Sequence, residues 1–325
     1  MSREETGKVS SLSLDLDNQW SYMKTHGNPA WESYPSYLGW AVPRILEYLE
    51  ERQQKITFFV VGKDATYDES AEAMKKIADA GHEIGNHSFN HEPWLHLYSE
   101  EQLHEELEKA ETAIENATGV KPVGFRGPGF SLSSATLRVL AERGYEYDAT
   151  VFPNLLNPLA RAYFFATSSL TKEEKEQRKE LFGTWRDALR PNSPYDWKLP
   201  DRTLLEIPVT TMPVFKTPIH LSYIIYASRF SKALAKAYFS FGLFMCRLTN
   251  VEPSILLHPL DFVGGDDVEE LKFFPGMDVT LEHKLEILDY VLDAIGKSHR
   301  LVTMKEHAES IGTPQRSLEL EQSRA

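Results

Sequence analysis

The chain has 325 residues, of which 42% are hydrophobic, 26% charged and 11% aromatic, ample for a buried core and too apolar for a disordered chain. Its formal charge of −13 opposes binding to nucleic acid, and no basic patch is concentrated enough to reverse that. One cysteine, Cys246, excludes an intrachain disulfide framework and fits a reducing compartment, and the polar stretch Met1–Lys8 lacks the apolar centre of a signal peptide, so a cytoplasmic protein is expected.

Short β-type runs alternate with helical stretches from the start of the chain. Val9–Leu16 reads as a strand, Val42–Gln53 as a helix, Ile56–Val61 as a strand, Ser70–Ala80 as a helix and His82–Asn86 as a strand. Ser99 opens the next helix, with Gln102 placed for a capping box, and Pro122–Arg126, Ser133–Arg143 and Tyr145–Thr150 continue the alternation. Later come strands at Leu204–Val209, Ile255–His258 and Leu301–Met304, with a helix over Val279–Ile295. Repeated βα units imply parallel strands joined by helical crossovers, either as an open doubly wound sheet or as a barrel. No linker or internal repeat divides the chain, so residues 1–325 read as a single domain.

Two stretches depart from the rhythm. Residues 155–203 are too long for a βα connection and read as an insertion, in which Thr171 and Glu174 match a capping box and Lys172–Glu180 reads as a solvated helix face. An apolar helix follows around 230–248. It is interrupted by Lys236 and Arg247 and so falls short of a membrane span. Leu234, Tyr238, Phe241, Met245 and Leu248 make an apolar stripe along it, either core-facing or lying against a membrane surface.

The chemistry collects at predicted strand ends. Leu12-Ser-Leu-Asp15-Leu-Asp17 ends the first strand with carboxylates at i and i+2. Gly85-Asn-His87-Ser-Phe-Asn-His91 follows another strand, and on a helical turn two histidines four apart lie about 6 Å from one another, close enough to share a metal. An acid from a neighbouring strand end would complete a His₂/carboxylate site with a position open to water. Phe125-Arg126-Gly127-Pro128-Gly129 brings a guanidinium and a turn whose free N–H could hold an oxyanion, and Ile255-Leu-Leu-His258 closes an apolar strand on a histidine. Alone, Arg126 would pass as a salt-bridge partner and His258 as a core histidine. Their joint occurrence at successive strand ends favours an active site.

These four motifs, in this order, resemble those of the polysaccharide deacetylase (NodB homology) family, carbohydrate esterase family 4, over roughly Val9–Met304. The resemblance implies a distorted (β/α)7 barrel. It implies Asp17, His87 and His91 as ligands of one divalent metal, Asp15 as base, Arg126 as its partner, Gly129 N–H as oxyanion donor and His258 as acid. Zinc suits such a mixed N/O set, as do Mn²⁺, Co²⁺, Ni²⁺ and Fe²⁺. The expected reaction removes an N-acyl group, N-acetyl first, from a sugar or glycan, lipid-linked carriers included. The alternatives are an allantoinase-like hydrolase of a cyclic amide and a catalytically silent carbohydrate-binding module. Asp-Leu-Asp stands where the family usually has adjacent aspartates, Gly129 where it has an aromatic, and either Asp148 or the pair Asp196-Trp197 could supply a fourth motif.

Overall fold

The structure, a computed structural model, describes residues 7–168, 170–179, 181–183 and 186–320. Most of Met1–Lys8, on which the reading of the N-terminus rests, lies outside these, as do Ser169, Glu180 and residues 184–185 of the insertion. The strands are β1 (Val9–Leu16), β2 (Thr57–Val60), β3 (Glu83–Asn86), β4 (Gly124–Phe125), β5 (Tyr147–Asp148), β6 (Tyr195–Lys198), β7 (Thr203–Glu206), β8 (Thr211–Met212), β9 (Thr217–Pro218), β10 (Ser254–Leu257), β11 (Arg300–Val302) and β12 (Ser317–Glu319). The helices are α1 (Gln19–His26), α2 (Leu38–Glu51), α3 (Asp68–Asp79), α4 (Glu100–Thr118), α5 (Ser134–Glu142), α6 (Asn157–Thr167), α7 (Lys172–Gln177), α8 (Leu221–Ser228), α9 (Lys232–Leu248), α10 (Leu281–Gly296) and α11 (Met304–Ile311).

Parallel strands run in the order β10-β1-β2-β3-β4-β5-β7, with β6 and β12 added beyond β7, and β11 beside the start of β1. The ring returns to its beginning where Thr210 N–H donates to Ser254 O at 2.9 Å, while Ser254 N–H donates to Thr210 Oγ1 at 2.8 Å. That narrow seam in place of a full ladder is the distortion expected of a (β/α)7 barrel. Alternation along β1 sends Leu12, Leu14 and Leu16 outward into the main core under α2, α3, α8 and α10, and turns Ser11, Ser13 and Asp15 inward. Phe59, Tyr147, Ile207 and Met304 fill the inside of the ring, and α11 closes its lower end.

The helix starts follow the chemistry of their first turns. Ser99 Oγ accepts from Gln102 N–H while Gln102 Oε1 accepts from Ser99 N–H, and Thr171 with Glu174 does the same for α7. The insertion therefore carries helices of its own, α6 and α7, before β6 returns to the sheet. The outward stripe of α9 differs from the expected one. Met245 is buried and Tyr238 half-buried, because the Tyr238 hydroxyl donates to Pro218 O, whereas Leu234, Phe241 and Leu248 do face outward, joined by Phe244. Among the described residues no helix is long and apolar enough to cross a membrane.

Candidate active site

Asp15 is the last inward residue of β1, and the chain then folds sharply, with Asp17 N–H donating to Asp15 O at 2.8 Å. The Tyr37 hydroxyl donates to Asp17 O, and Asn18 and Trp20 both donate to Asp64 Oδ1 at 2.8 Å, so the turn carrying Asp17 is tied to the end of β2. Burial pushes the Asp64 carboxyl up to about 6, against the effect of those two donors.

The two histidines do not lie on a helical turn. Ser88 and His91 take left-handed backbone angles, φ +61° and +52°, and this irregular loop brings the two rings to a centroid separation of 5.1 Å. Ser88 Oγ accepts from His91 N–H. The buried Glu106 of α4 accepts from Phe89 N–H, Asn90 N–H and the Asn90 side chain at 3.0, 2.6 and 2.7 Å. A glutamate on a helix 16 and 17 residues beyond its partners thus holds the loop that presents the histidines.

Asp17, His87 and His91 offer ligand atoms that all lie within 4.8 Å of one another. Asp17 Oδ1 is 2.9 Å from His91 Nε2 and 3.5 Å from His87 Nε2. Although buried, Asp17 Oδ1 and both ring nitrogens of His91 lack an aligned hydrogen bond, which is what a set of ligands aimed at a common centre looks like. His87 Nδ1–H donates to Arg126 O at 2.6 Å, leaving Nε2 as the lone pair that faces Asp17. Burial lowers His87 despite the nearby Asp15 and Asp17 carboxylates, so the imidazole is kept in its neutral, ligating form. For Asp17, burial is overcome by His91, His87 and His258, and its carboxyl falls to about 2. The residues present therefore fit a divalent metal.

Arg126, wholly buried, donates from Nη1 to Asp15 Oδ1 at 2.7 Å and Ser13 Oγ at 2.9 Å, and from Nε to Ala149 O at 2.9 Å, with the Phe59 ring 4.3 Å below. Asp15 Oδ2 is left 3.9 Å from His87 Nε2, at the edge of the ligand cluster. Across the site, His258 Nδ1–H donates to Ser222 Oγ at 3.1 Å, Ser222 donates to Asp261 Oδ1 at 3.0 Å, and His258 N–H donates to Asp261 Oδ2 at 2.8 Å. Asp15, Asp17, His87, His91, Arg126 and His258 thus lie together, and Gly129 follows in the turn Pro128–Phe130. There the Gly129 φ is +59°, its carbonyl accepts from Phe182 N–H, and a Cβ would come within 2.9 Å of Leu181 and 3.0 Å of Pro93. The insertion packs directly on this turn, through Leu181 and Phe182. Phe130 stacks on Phe152 at 4.7 Å, and Phe152 meets His220 edge-on at 5.2 Å.

His220, Ser222, Asp261 and Glu106 were not marked by the sequence. His220 sits at the start of α8, 6.2 Å ring to ring from His258, with its buried Nδ1 unpartnered; burial holds it well below its ordinary range, aided by His258 and Arg126. Asp261 had a local signal in its position three residues after His258, where a carboxylate caps a turn. Asp148 and Trp197 prove to share one partner. Glu206 is pushed well above its ordinary range by burial and by Asp148, and accepts from the Trp197 indole at 2.9 Å.

Residues 37–148 match the model of the polysaccharide deacetylase family, a span that holds His87, His91 and Arg126. Over that span, about a third of its length, the chain is similar to the family. It is 38% identical over 100 residues to the uncharacterized protein YlxY of Bacillus subtilis, covering 31% of this chain and 30% of that one. It is 30% identical over 117 residues to the peptidoglycan deacetylase of Helicobacter pylori, covering 36% of this chain and 39% of the relative. The chain thus spans well under half the length of these two relatives. Over almost its whole length it shares its fold with a Mycobacterium smegmatis protein described as a candidate polysaccharide deacetylase, at TM-score 0.63 and 21% identity, covering 99% of this chain and 96% of that one.

Proposed function

We propose that this chain is a metal-dependent hydrolase that removes an N-acyl group, N-acetyl first, from an amino sugar of a glycan. The observation that carries the reading is the juxtaposition of three convergent ligands with a clamped carboxylate on one side and a relayed histidine on the other. Asp17, His87 and His91 would hold the metal. When bound, it supplies Lewis acidity toward the acyl oxygen and a water acidified toward neutral pH.

The chain's own residues do the rest. Arg126 fixes one oxygen of Asp15, and the other is turned toward the ligand cluster, where it takes a proton from the attacking water. The Gly129 N–H donates to the oxyanion of the tetrahedral intermediate. His258, oriented through Ser222 by Asp261, presents Nε2 to the departing amine and gives it a proton. The oxygen of water bonds to the acyl carbon, the C–N bond breaks, and the products are the carboxylic acid and the free amine. Zinc is the first candidate metal, with the other first-row ions named above behind it. A cytoplasmic setting belongs to this proposal, supported by a lone, buried cysteine.

The test is release of acetate or formate from N-acylated amino sugars, free, polymeric and lipid-linked, by protein loaded with each divalent metal in turn. Release that stops on chelation and returns with metal is the expected result. Ring opening of a cyclic amide without release of acid, or no turnover with any metal on any acyl-amino sugar, would overturn the proposal.

A further inference from the structure

Among the described residues, most of the large apolar side chains left exposed fall between Leu155 and Leu248. Their centre is the turn joining β8 to β9. Val214 and Phe215 stand 71% and 51% exposed at its tip, and the flanking main chain is fixed by Lys216 N–H to Met212 O and Leu155 N–H to Lys216 O, both 2.8 Å. Val214 and Lys216 take left-handed angles, φ +72° and +52°, a conformation that a β-branched residue adopts only when its surroundings impose it. The strain turns two apolar side chains outward.

Beside the tip lies α9. A methyl group on Gly242 would come within 3.0 Å of the Ile219 side chain, so the helix rests closely against the hairpin, and the Tyr238 hydroxyl ties it to Pro218 O. Its outer side shows Leu234, Phe241, Phe244 and Leu248, with Leu234 and Leu248 72% and 68% exposed, and Phe215 meets Phe241 ring to ring at 6.2 Å. Hairpin tip and helix therefore form one rigid apolar face.

Charge narrows what can cover it. The molecule carries −13, yet Ile207–Val251 contains no Asp or Glu and five Lys or Arg. Arg229 pairs with Asp278, and Lys232 and Lys236 with Glu286, but Arg247 and Lys8, at the far end of α9, are exposed and make no ion pair among the described residues, Lys8 Nζ donating to Asn250 Oδ1 at 2.9 Å. A second copy of this face would set like charges against one another. An anionic surface would not, and a chain this acidic could approach one only through a face free of acids.

We propose that the Val214–Phe215 tip and the outer stripe of α9 dock on a lipid bilayer bearing anionic headgroups, with the apolar side chains entering the headgroup boundary and Arg247 and Lys8 meeting the phosphates. This goes beyond the deacylase reading and stands without it. β9 leads from the docked tip to His220 at the start of α8.

The test is flotation of the full chain with vesicles of phosphatidylglycerol and phosphatidylcholine in equal parts. The wild-type protein is expected to float with the vesicles, and the double variant Phe215→Ser, Phe241→Ser to lose about tenfold or more of the floated fraction while keeping its circular dichroism and melting profile. Asp17→Asn should float as the wild type does, so a failure of the catalytic reading leaves this result untouched. Wild-type protein that stays with the dense layer, flotation indifferent to the double substitution, or a sedimenting dimer that the same substitutions split without any vesicle binding would overturn it.

Discussion

His87 gives its Nδ1 proton to a carbonyl, whereas His258 gives the same proton to a hydroxyl that is itself bonded to a carboxylate. The first arrangement leaves a neutral ring whose Nε2 can only accept, which suits a metal ligand. The second places negative charge one hydroxyl away from a ring that must carry a proton in the reaction. Replacing His258 with alanine should therefore leave bound metal unchanged and lower kcat by roughly 10²–10⁴-fold. Metal analysis beside steady-state kinetics decides it, since loss of metal would reassign the residue. Ser222→Ala should keep the metal too, and lower kcat by a smaller factor while shifting the acid-side or base-side limb of the pH profile. An unmoved profile would mean that Asp261 does not act through the hydroxyl. The candidate ligand and proton-transfer residues were legible because each lies at or soon after the end of a recognisable strand. His220 was not, because the strand before it is two residues long and reads as loop.

Glu106 belongs to the amphipathic helix α4, where a glutamate is ordinary in sequence and its burial shows only once the helix is packed. It accepts three hydrogen bonds from the loop between His87 and His91. Glu106→Ala strands those donors and should weaken metal affinity by about 10–100-fold, the usual cost of losing a group that orients ligands. A competition titration with a metal chelator measures this, and unchanged affinity would show that the loop holds its shape unaided. The same limit on sequence reading explains the strand lengths. Pro122–Arg126 and Tyr145–Thr150 read as five- and six-residue strands, yet their ladders are two residues each. The neighbouring main-chain donors turn to side chains instead, Gly127 N–H to Thr150 Oγ1 and Val151 N–H to Glu206 Oε1. Hydrophobic alternation marks extended chain, but it does not say which partner will satisfy each backbone group.

For the molecule as a whole, the alternation of strand and helix was enough to indicate the parallel architecture, while closure into a ring rests on contacts between segments far apart in sequence. Stability should depend on pH through three histidines far from the site. Burial pushes His82, His299 and His307 down to about 4, with Lys55, Lys8 and His299 respectively adding to the effect. The unfolded chain takes up these protons near pH 6.5 and the native chain resists until about 4, so stability is full above the upper value and is lost as the pH falls through that window. For His307, which is wholly buried, the loss amounts to about 3 kcal/mol. Urea midpoints measured from pH 7.5 down to pH 4.5 should fall, and the fall should be shallower in His307→Asn; a flat profile would contradict this. The seam between Thr210 and Ser254 matters in another way. Asp15, Asp17, His87, His91, Arg126 and His258 all ride on the continuous arc β10-β1-β2-β3-β4, while the slit lies between β10 and the continuation of β7. Of the arc that carries these residues only β10 borders the seam, so their mutual spacing rests on unbroken strand pairing rather than on the two bonds that close the ring.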